Sequence, residues 1–95
     1  MSNIEILETI KEFTINVEGF NENVKAKICK FISLDNEQEY NYYWFISHNY
    51  TPSINALGPY RPSKNYGRTI EEAEESLMFY VKNFTNINVV KNKNY

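Results

Sequence analysis

The stretch from residue 49 to residue 68 carries the side chains of this 95-residue chain that are best suited to binding chemistry. It contains both arginines of the chain, Arg61 and Arg68. No Asp or Glu occurs between residues 40 and 70, although the chain has 12 acidic residues. Most of the tyrosines lie in the same acid-free part, namely Tyr40, Tyr42, Tyr43, Tyr50, Tyr60 and Tyr66.

This composition favours a binding site for an anionic ligand that carries a ring. Arginine presents a planar fork of N–H donors that matches phosphate oxygens. A tyrosine ring stacks on a nucleobase with about 1–3 kcal/mol per base. We therefore predict a site for a small, nucleotide-like anion. Its candidate residues are His48, Tyr50, Tyr60, Arg61, Ser63, Lys64, Tyr66 and Arg68.

A structural interpretation of the same stretch is equally concrete. Pro52, Pro59 and Pro62 would pin a loop whose tyrosines pack on a sheet and whose arginines pair with the glutamates of a helix. A connection of this length is uncommon in so small a domain unless it has a function. The sequence leaves both interpretations open.

The chain shows no arrangement typical of an enzyme, and we expect it to be non-catalytic. Ser47 and His48 are neighbours, but adjacent residues of a strand point to opposite faces, so we do not expect a nucleophile–base pair. The only aspartate, Asp35, falls in a predicted turn. Cys29 lies in an apolar run that is typical of a core strand. No Cys/His cluster has the spacing of a zinc site, so we expect neither a metal nor a cofactor. A hydrolase would require turnover that depends on His48.

The overall composition limits the partners. The formal net charge is −2, whereas a binder of duplex nucleic acid needs clustered Lys and Arg. No apolar run approaches the roughly 18 residues of a membrane span, and the N-terminus has no signal-peptide pattern. The single cysteine excludes an internal disulfide and fits a reducing compartment. These features predict a cytoplasmic protein that binds neither a membrane nor duplex nucleic acid.

The clearest secondary-structure element is a helix over residues 69–84. Thr69 and Glu72 have the spacing of a capping box, in which each side chain bonds the backbone N–H of the other. Glutamates crowd the first turns and Lys82 lies near the end, as the helix dipole favours. One helical face carries the apolar residues Ile70, Ala73, Leu77, Tyr80, Val81 and Phe84.

Alternation of apolar and polar residues predicts strands over residues 13–17, 23–34 and 40–48. Turns are expected at 18–23 and 35–39. A capping box at Ser2 favours a short N-terminal helix, although an extended segment fits nearly as well. Ile87 and Val89 predict a brief edge strand near the end of the chain.

These elements predict an α+β fold: a small antiparallel sheet of three to four strands with one long C-terminal helix packed on one face. The chain forms a single domain, residues 1–95, with a functional loop at 49–68 and a flexible tail at about 91–95. The other face of the sheet carries aromatic residues, so we expect a homodimer or a higher homo-oligomer.

We predict a small binding protein that holds or sequesters its ligand. One such setting is a phage counter-defence protein that takes up an immune signal nucleotide. The alternative is an inhibitor or adaptor that blocks a partner protein through its acidic helix or its aromatic sheet face.

Overall fold

Alternating side chains in the first half of the chain build a sheet, and the apolar stripe in the second half builds a helix. The structure is a computed structural model that describes residues 6–32, 41–62, 64–93 and 95. Its elements, in chain order, are β1 (Ile6–Ile15), β2 (Val24–Ile32), β3 (Tyr42–Ile46), β4 (His48–Asn49), β5 (Tyr66–Gly67), α1 (Ile70–Lys82) and β6 (Val90–Lys91). The predicted α+β class is confirmed.

The sheet has four strands in the order β1-β2-β3-β5, and every neighbouring pair is antiparallel. In the register of β2 and β3, Ile28 lies opposite Trp44 and Ala26 lies opposite Ile46. All four side chains are buried in one core cluster, together with Val24 of β2, Tyr50 of the loop, and Ala73, Leu77 and Tyr80 of α1. The single layer of core between sheet and helix is therefore built from the apolar parity of β2 and β3.

The helix begins at the predicted cap with the Thr69 half of the capping box, while the Glu72 carboxylate lies 3.8 Å from Lys64 Nζ. Thr69 is extended, and its Oγ1 accepts a hydrogen bond of 3.0 Å from the backbone N–H of Glu72. At the other end, the backbone N–H of Asn83 donates to the carbonyl of Tyr80 at 3.3 Å. Helix α1 is thus close to the predicted span, because its start and stop are set by local hydrogen bonds.

The predicted N-terminal helix is wrong for the part of it that the structure describes. Ile6 and the nine residues that follow form β1, which pairs with β2 along its length apart from an irregularity between Thr9 and Lys11. A helix of this length is marginal on its own, whereas a strand gains a partner from β2. Ser2, which prompted the helix prediction, lies outside the described residues, as does the predicted turn at 35–39.

The third strand ends earlier than predicted, and its end creates a second ladder. The chain bends at Ser47, and β4 then pairs with β6, so that His48 lies opposite Lys91. The final edge strand is therefore β6 rather than residues 87–89. In the predicted flexible tail, the Tyr95 ring centroid lies 4.5 Å from Lys27 Nζ. Within the described part of the chain, no helix is long and apolar enough to cross a membrane.

Candidate functional site

The structure places the predicted site residues at several locations, and Tyr50 lies in the core. Its side chain is 2% exposed. Ring centroids of Tyr80 and Phe84 each lie 4.9 Å from its own, and that of Tyr60 lies 5.9 Å away. Burial raises the pKa of the Tyr50 hydroxyl, and the nearby phenols of Tyr80 and Tyr60 raise it further. Tyr50 therefore supports the loop from inside and leaves no face for a ligand.

His48 is also buried, at 6% exposure, and it is bonded to its neighbour. Its Nδ1 lies 2.7 Å from the Oγ of Ser47, so the inference that these two side chains must point apart is wrong. The reason is the bend at Ser47, which ends the strand alternation. Ser47 Oγ also accepts a hydrogen bond of 2.8 Å from the backbone N–H of Lys25.

Within residues 6–32, 41–62, 64–93 and 95, no third group orients the Ser47–His48 pair as in a nucleophilic triad. Catalytic pairs of this kind have a further group that orients the base. The Nε2 of His48 is buried without a hydrogen-bond partner among the residues that the structure describes. The edge of the Phe20 ring packs against the imidazole, with centroids 5.5 Å apart. The pair joins the start of β2 to the bend after β3.

Arg61 belongs to a hydrogen-bond chain that runs from the surface into the core. Its Nη1 donates to Asn49 Oδ1 at 3.3 Å, and Asn49 Nδ2 donates to the Tyr80 hydroxyl at 2.9 Å. That hydroxyl in turn donates to the carbonyl of Tyr60 at 2.7 Å. Burial raises the pKa of the Tyr80 hydroxyl and keeps it protonated, as this chain of donors requires. The guanidinium is thereby held by buried, polar groups.

A groove lies beside Arg61 because the sheet edge is incomplete there. Strand β5 pairs only with the first two residues of β3. Beyond it, Nδ2 of Asn65 donates to the carbonyl of Trp44 at 3.1 Å, and Nδ2 of Asn92 donates to that of Ile46 at 2.9 Å. Side-chain amides thus replace a neighbouring strand. The resulting space, which we call the Arg61 groove, measures about 240 Å³ and is lined by Trp44, Phe45, Ile46, Asn49, Arg61, Pro62, Asn65 and Asn92.

The remaining predicted residues lie elsewhere. Tyr60, which is 40% exposed, and Lys64 line a different cavity, which lies next to α1. Tyr66 pairs with Tyr43 across the sheet, with ring centroids 6.0 Å apart. Arg68 is exposed before the helix cap and does not line the Arg61 groove. Ser63 lies outside the described residues. Arg61 is therefore the one residue that lines the Arg61 groove among the seven predicted site residues that the structure describes.

Sequence reasoning missed the three asparagines of the groove. Asn49 and Asn65 lie in the acid-free stretch, so composition could have included them as polar groups without charge. Asn92 comes from the end of the chain, and its place depends on the pairing of β4 with β6. No local pattern brings that residue to β3.

The groups that line the Arg61 groove determine which ligands it could bind. In residues 6–32, 41–62, 64–93 and 95, no group of three or more His, Cys, Asp or Glu side chains could hold a metal ion. No protein-family model, curated protein or solved structure matches this chain. A bound anion would instead meet the Arg61 guanidinium, amide groups and apolar walls.

Proposed function

We propose that this protein is a non-catalytic binding protein that holds a nucleotide-like anion in the Arg61 groove. The observation that carries the proposal is the anchoring of Arg61 by Asn49 and, through it, by Tyr80. A guanidinium has five N–H donors, and its bond to Asn49 uses one nitrogen, so donors remain for a phosphate or carboxylate. An anchored arginine loses less conformational entropy on binding than a free one.

The size and the lining of the groove support a small ligand. Its volume of about 240 Å³ is just below the roughly 300–1,000 Å³ of usual ligand pockets. The ligand would therefore be no larger than a mononucleotide and would stay partly exposed. Phe45 and Pro62 offer apolar surface for a ring, and Asn65 offers an amide for hydrogen bonds to its edge. The groove thus combines the two properties that the composition suggests, a cation and a surface for a ring.

Binding without turnover would serve to sequester the ligand. The proposed setting is the cytoplasm, where the free thiol of Cys29 stays reduced. Phage counter-defence, with an immune signal nucleotide as the ligand, is one such role. In that role the protein must be present in at least the molar amount of its ligand, because each copy removes one molecule.

The proposal includes self-association through the sheet face opposite α1. Strand alternation and register place aromatic residues on that face, including Phe31, Tyr43 and Tyr66. A second copy would cover apolar area that one small chain cannot bury. Light scattering after size exclusion at micromolar concentration should give the mass of at least two chains. A monomer mass would refute this part alone.

The first test is to denature the purified protein and examine the released small molecules by ultraviolet absorbance and mass spectrometry. The second is calorimetric titration with adenosine monophosphate and with adenosine, which differ only in the phosphate. We expect the monophosphate to bind more tightly. The Arg61→Ala variant loses a charged hydrogen bond worth about 1.5–3 kcal/mol. It should therefore bind the monophosphate about 10–100-fold more weakly than the original protein.

Arg68→Ala is the matched control, because it removes the other arginine of the chain without changing the groove. It should bind the monophosphate like the original protein. Equal affinity for adenosine and its monophosphate, or an Arg61→Ala protein that binds normally, would refute the proposed site.

A second candidate function is inhibition or adaptation of a partner protein through the acidic helix or the aromatic sheet face. The observation that favours it is the exposure of two apolar side chains on α1, Phe79 at 59% and Met78 at 37%. Charge reversal at Glu71, Glu74 and Glu75 should abolish that function and spare the Arg61 groove. Arg61→Ala should do the opposite.

A further inference from the structure

A second concave surface lies on the other side of the segment that carries Arg61. Two adjoining cavities, of about 430 Å³ and 150 Å³, run between this segment and α1. They share Lys64, Ser76 and Phe79 as lining residues. We call this surface the helix groove, and its defining residues are Tyr60, Pro62, Lys64, Glu72, Glu75, Ser76 and Phe79.

Hydrogen bonds connect the two walls of the helix groove, α1 and the loop segment, along its floor. Ser76 Oγ accepts the indole N–H of Trp44 at 3.0 Å and donates to the carbonyl of Lys64 at 3.3 Å. The hydroxyl of Tyr80, one turn further along α1, donates to the carbonyl of Tyr60. Two residues of α1 therefore hold the backbone of the loop segment, which fixes the distance between the walls.

The walls combine exposed rings with charges of both signs, namely Glu72, Glu75 and Lys64, and Glu75 is the carboxylate without an ion-pair partner among the described residues. Phe79 is 59% exposed and Tyr60 is 40% exposed, so both rings offer apolar surface to a partner. The ammonium of Lys82 lies 5.0 Å from the Phe79 ring centroid, in a cation–π contact with one face of the ring. Among the described residues, Glu75 forms no ion pair, and Glu72 has only a long contact of 3.8 Å with Lys64.

This arrangement selects one class of partner. Aromatic-lined grooves take extended proline-rich segments, whose low conformational entropy reduces the loss on binding. The carboxylate of Glu75 favours a cation beside those rings and repels phosphate. We infer that the helix groove docks an extended segment of a partner protein that carries proline next to an arginine or lysine. This inference is independent of the Arg61 groove and rests on the second candidate function, because both use Phe79 and Glu75 of α1.

The test is a selection from a random peptide library displayed on phage, with the purified 95-residue chain as bait. We expect enrichment of sequences with proline within a few residues of arginine or lysine. A synthetic peptide of the most enriched sequence is then titrated by fluorescence anisotropy. Selected peptides that are acidic, that lack proline, or that show no enrichment over the starting library would overturn the inference.

Matched variants connect the selected peptide to the helix groove. Phe79→Ala should weaken its binding at least about tenfold, as expected for an aromatic anchor, whereas Met78→Ala, the adjacent exposed apolar residue outside the groove, should not. Glu75→Gln should weaken binding by up to about fivefold at low salt, and Glu71→Gln should not. Equal effects of each variant and its control would overturn the assignment.

Two cross-tests separate this inference from the proposed function. Arg61→Ala should leave peptide binding unchanged, and Phe79→Ala should leave binding of adenosine monophosphate unchanged.

Discussion

The backbone of α1 lies close to the sheet at Gly67, and we predict that Gly67→Ala strongly destabilises the protein. Gly67 is buried in β5. A Cβ on this residue would lie 2.6 Å from the backbone nitrogen of Ala73 and 3.0 Å from the carbonyl carbon of Glu72. Both are backbone atoms of the first turn of α1, so no side-chain rotation can remove the clash.

The magnitude follows from what must move. Contacts this short do not occur in folded proteins, so either β5 or the start of α1 has to shift. Forcing an extra methyl group into a packed site typically costs about 1–3 kcal/mol. A small domain loses about 1 kcal/mol of stability per molar urea, so the unfolding midpoint should fall by about 1–3 M. This is a large fraction of a total stability of about 5–15 kcal/mol.

The assay is urea unfolding followed by fluorescence of Trp44, the only tryptophan, which is 2% exposed. Gly58→Ala is the matched control, because no atom lies within 4 Å of the Cβ it would add. That variant should unfold within about 0.5–1 kcal/mol of the original protein, because alanine only reduces the freedom of the unfolded chain. If Gly67→Ala unfolds at the original midpoint, or if both variants lose the same stability, the close approach of β5 and α1 is refuted.

Three further predictions concern buried polar groups. Tyr80→Phe leaves the Nδ2 of Asn49 without its partner and should cost about 1–3 kcal/mol in a thermal melt, and a loss below about 0.5 kcal/mol would contradict the hydrogen-bond chain. Burial raises the pKa of Tyr80 and Tyr50 above the usual value of about 10, so the protonated forms stabilise the fold. This contribution is complete below about pH 10 and is lost as the pH rises through the raised pKa values, so a urea midpoint that increases above pH 10 would argue against it. Ser47→Ala removes the partner of His48 Nδ1 and should lower stability by about 1–3 kcal/mol, while an unchanged midpoint would show that this bond is not structural.

Elements that depend on local interactions were predictable from the sequence. The helix that begins after Thr69 is an example, because the cap and the apolar stripe act within a few turns. The strand over Val24–Ile32 is another, because its alternation repeats over enough residues to be distinguished from a helix. The N-terminal segment was mispredicted because its pattern fits a helix and a strand almost equally, and only pairing with β2 decides between them.

The candidate site was predictable only in part. Composition alone indicated the acid-free stretch with its two arginines, because charge placement can be read without knowing the fold. Composition could not show that the Tyr50 ring faces the core while Tyr60 is partly exposed, since both lie in the same loop. The contact of Ser47 with His48 depends on a bend that strand alternation does not anticipate.

The sequence by itself determined the class of fold, the span of the helix and the region in which positive charge is available. These properties follow from periodicity, capping and composition, which act along the chain. Only the tertiary structure decided that Asn49, Asn65 and Asn92 surround one groove and that the segment after Tyr60 forms a wall of two grooves. Residues far apart in sequence meet there, and their meeting depends on how β3 ends and what pairs with the chain beyond it.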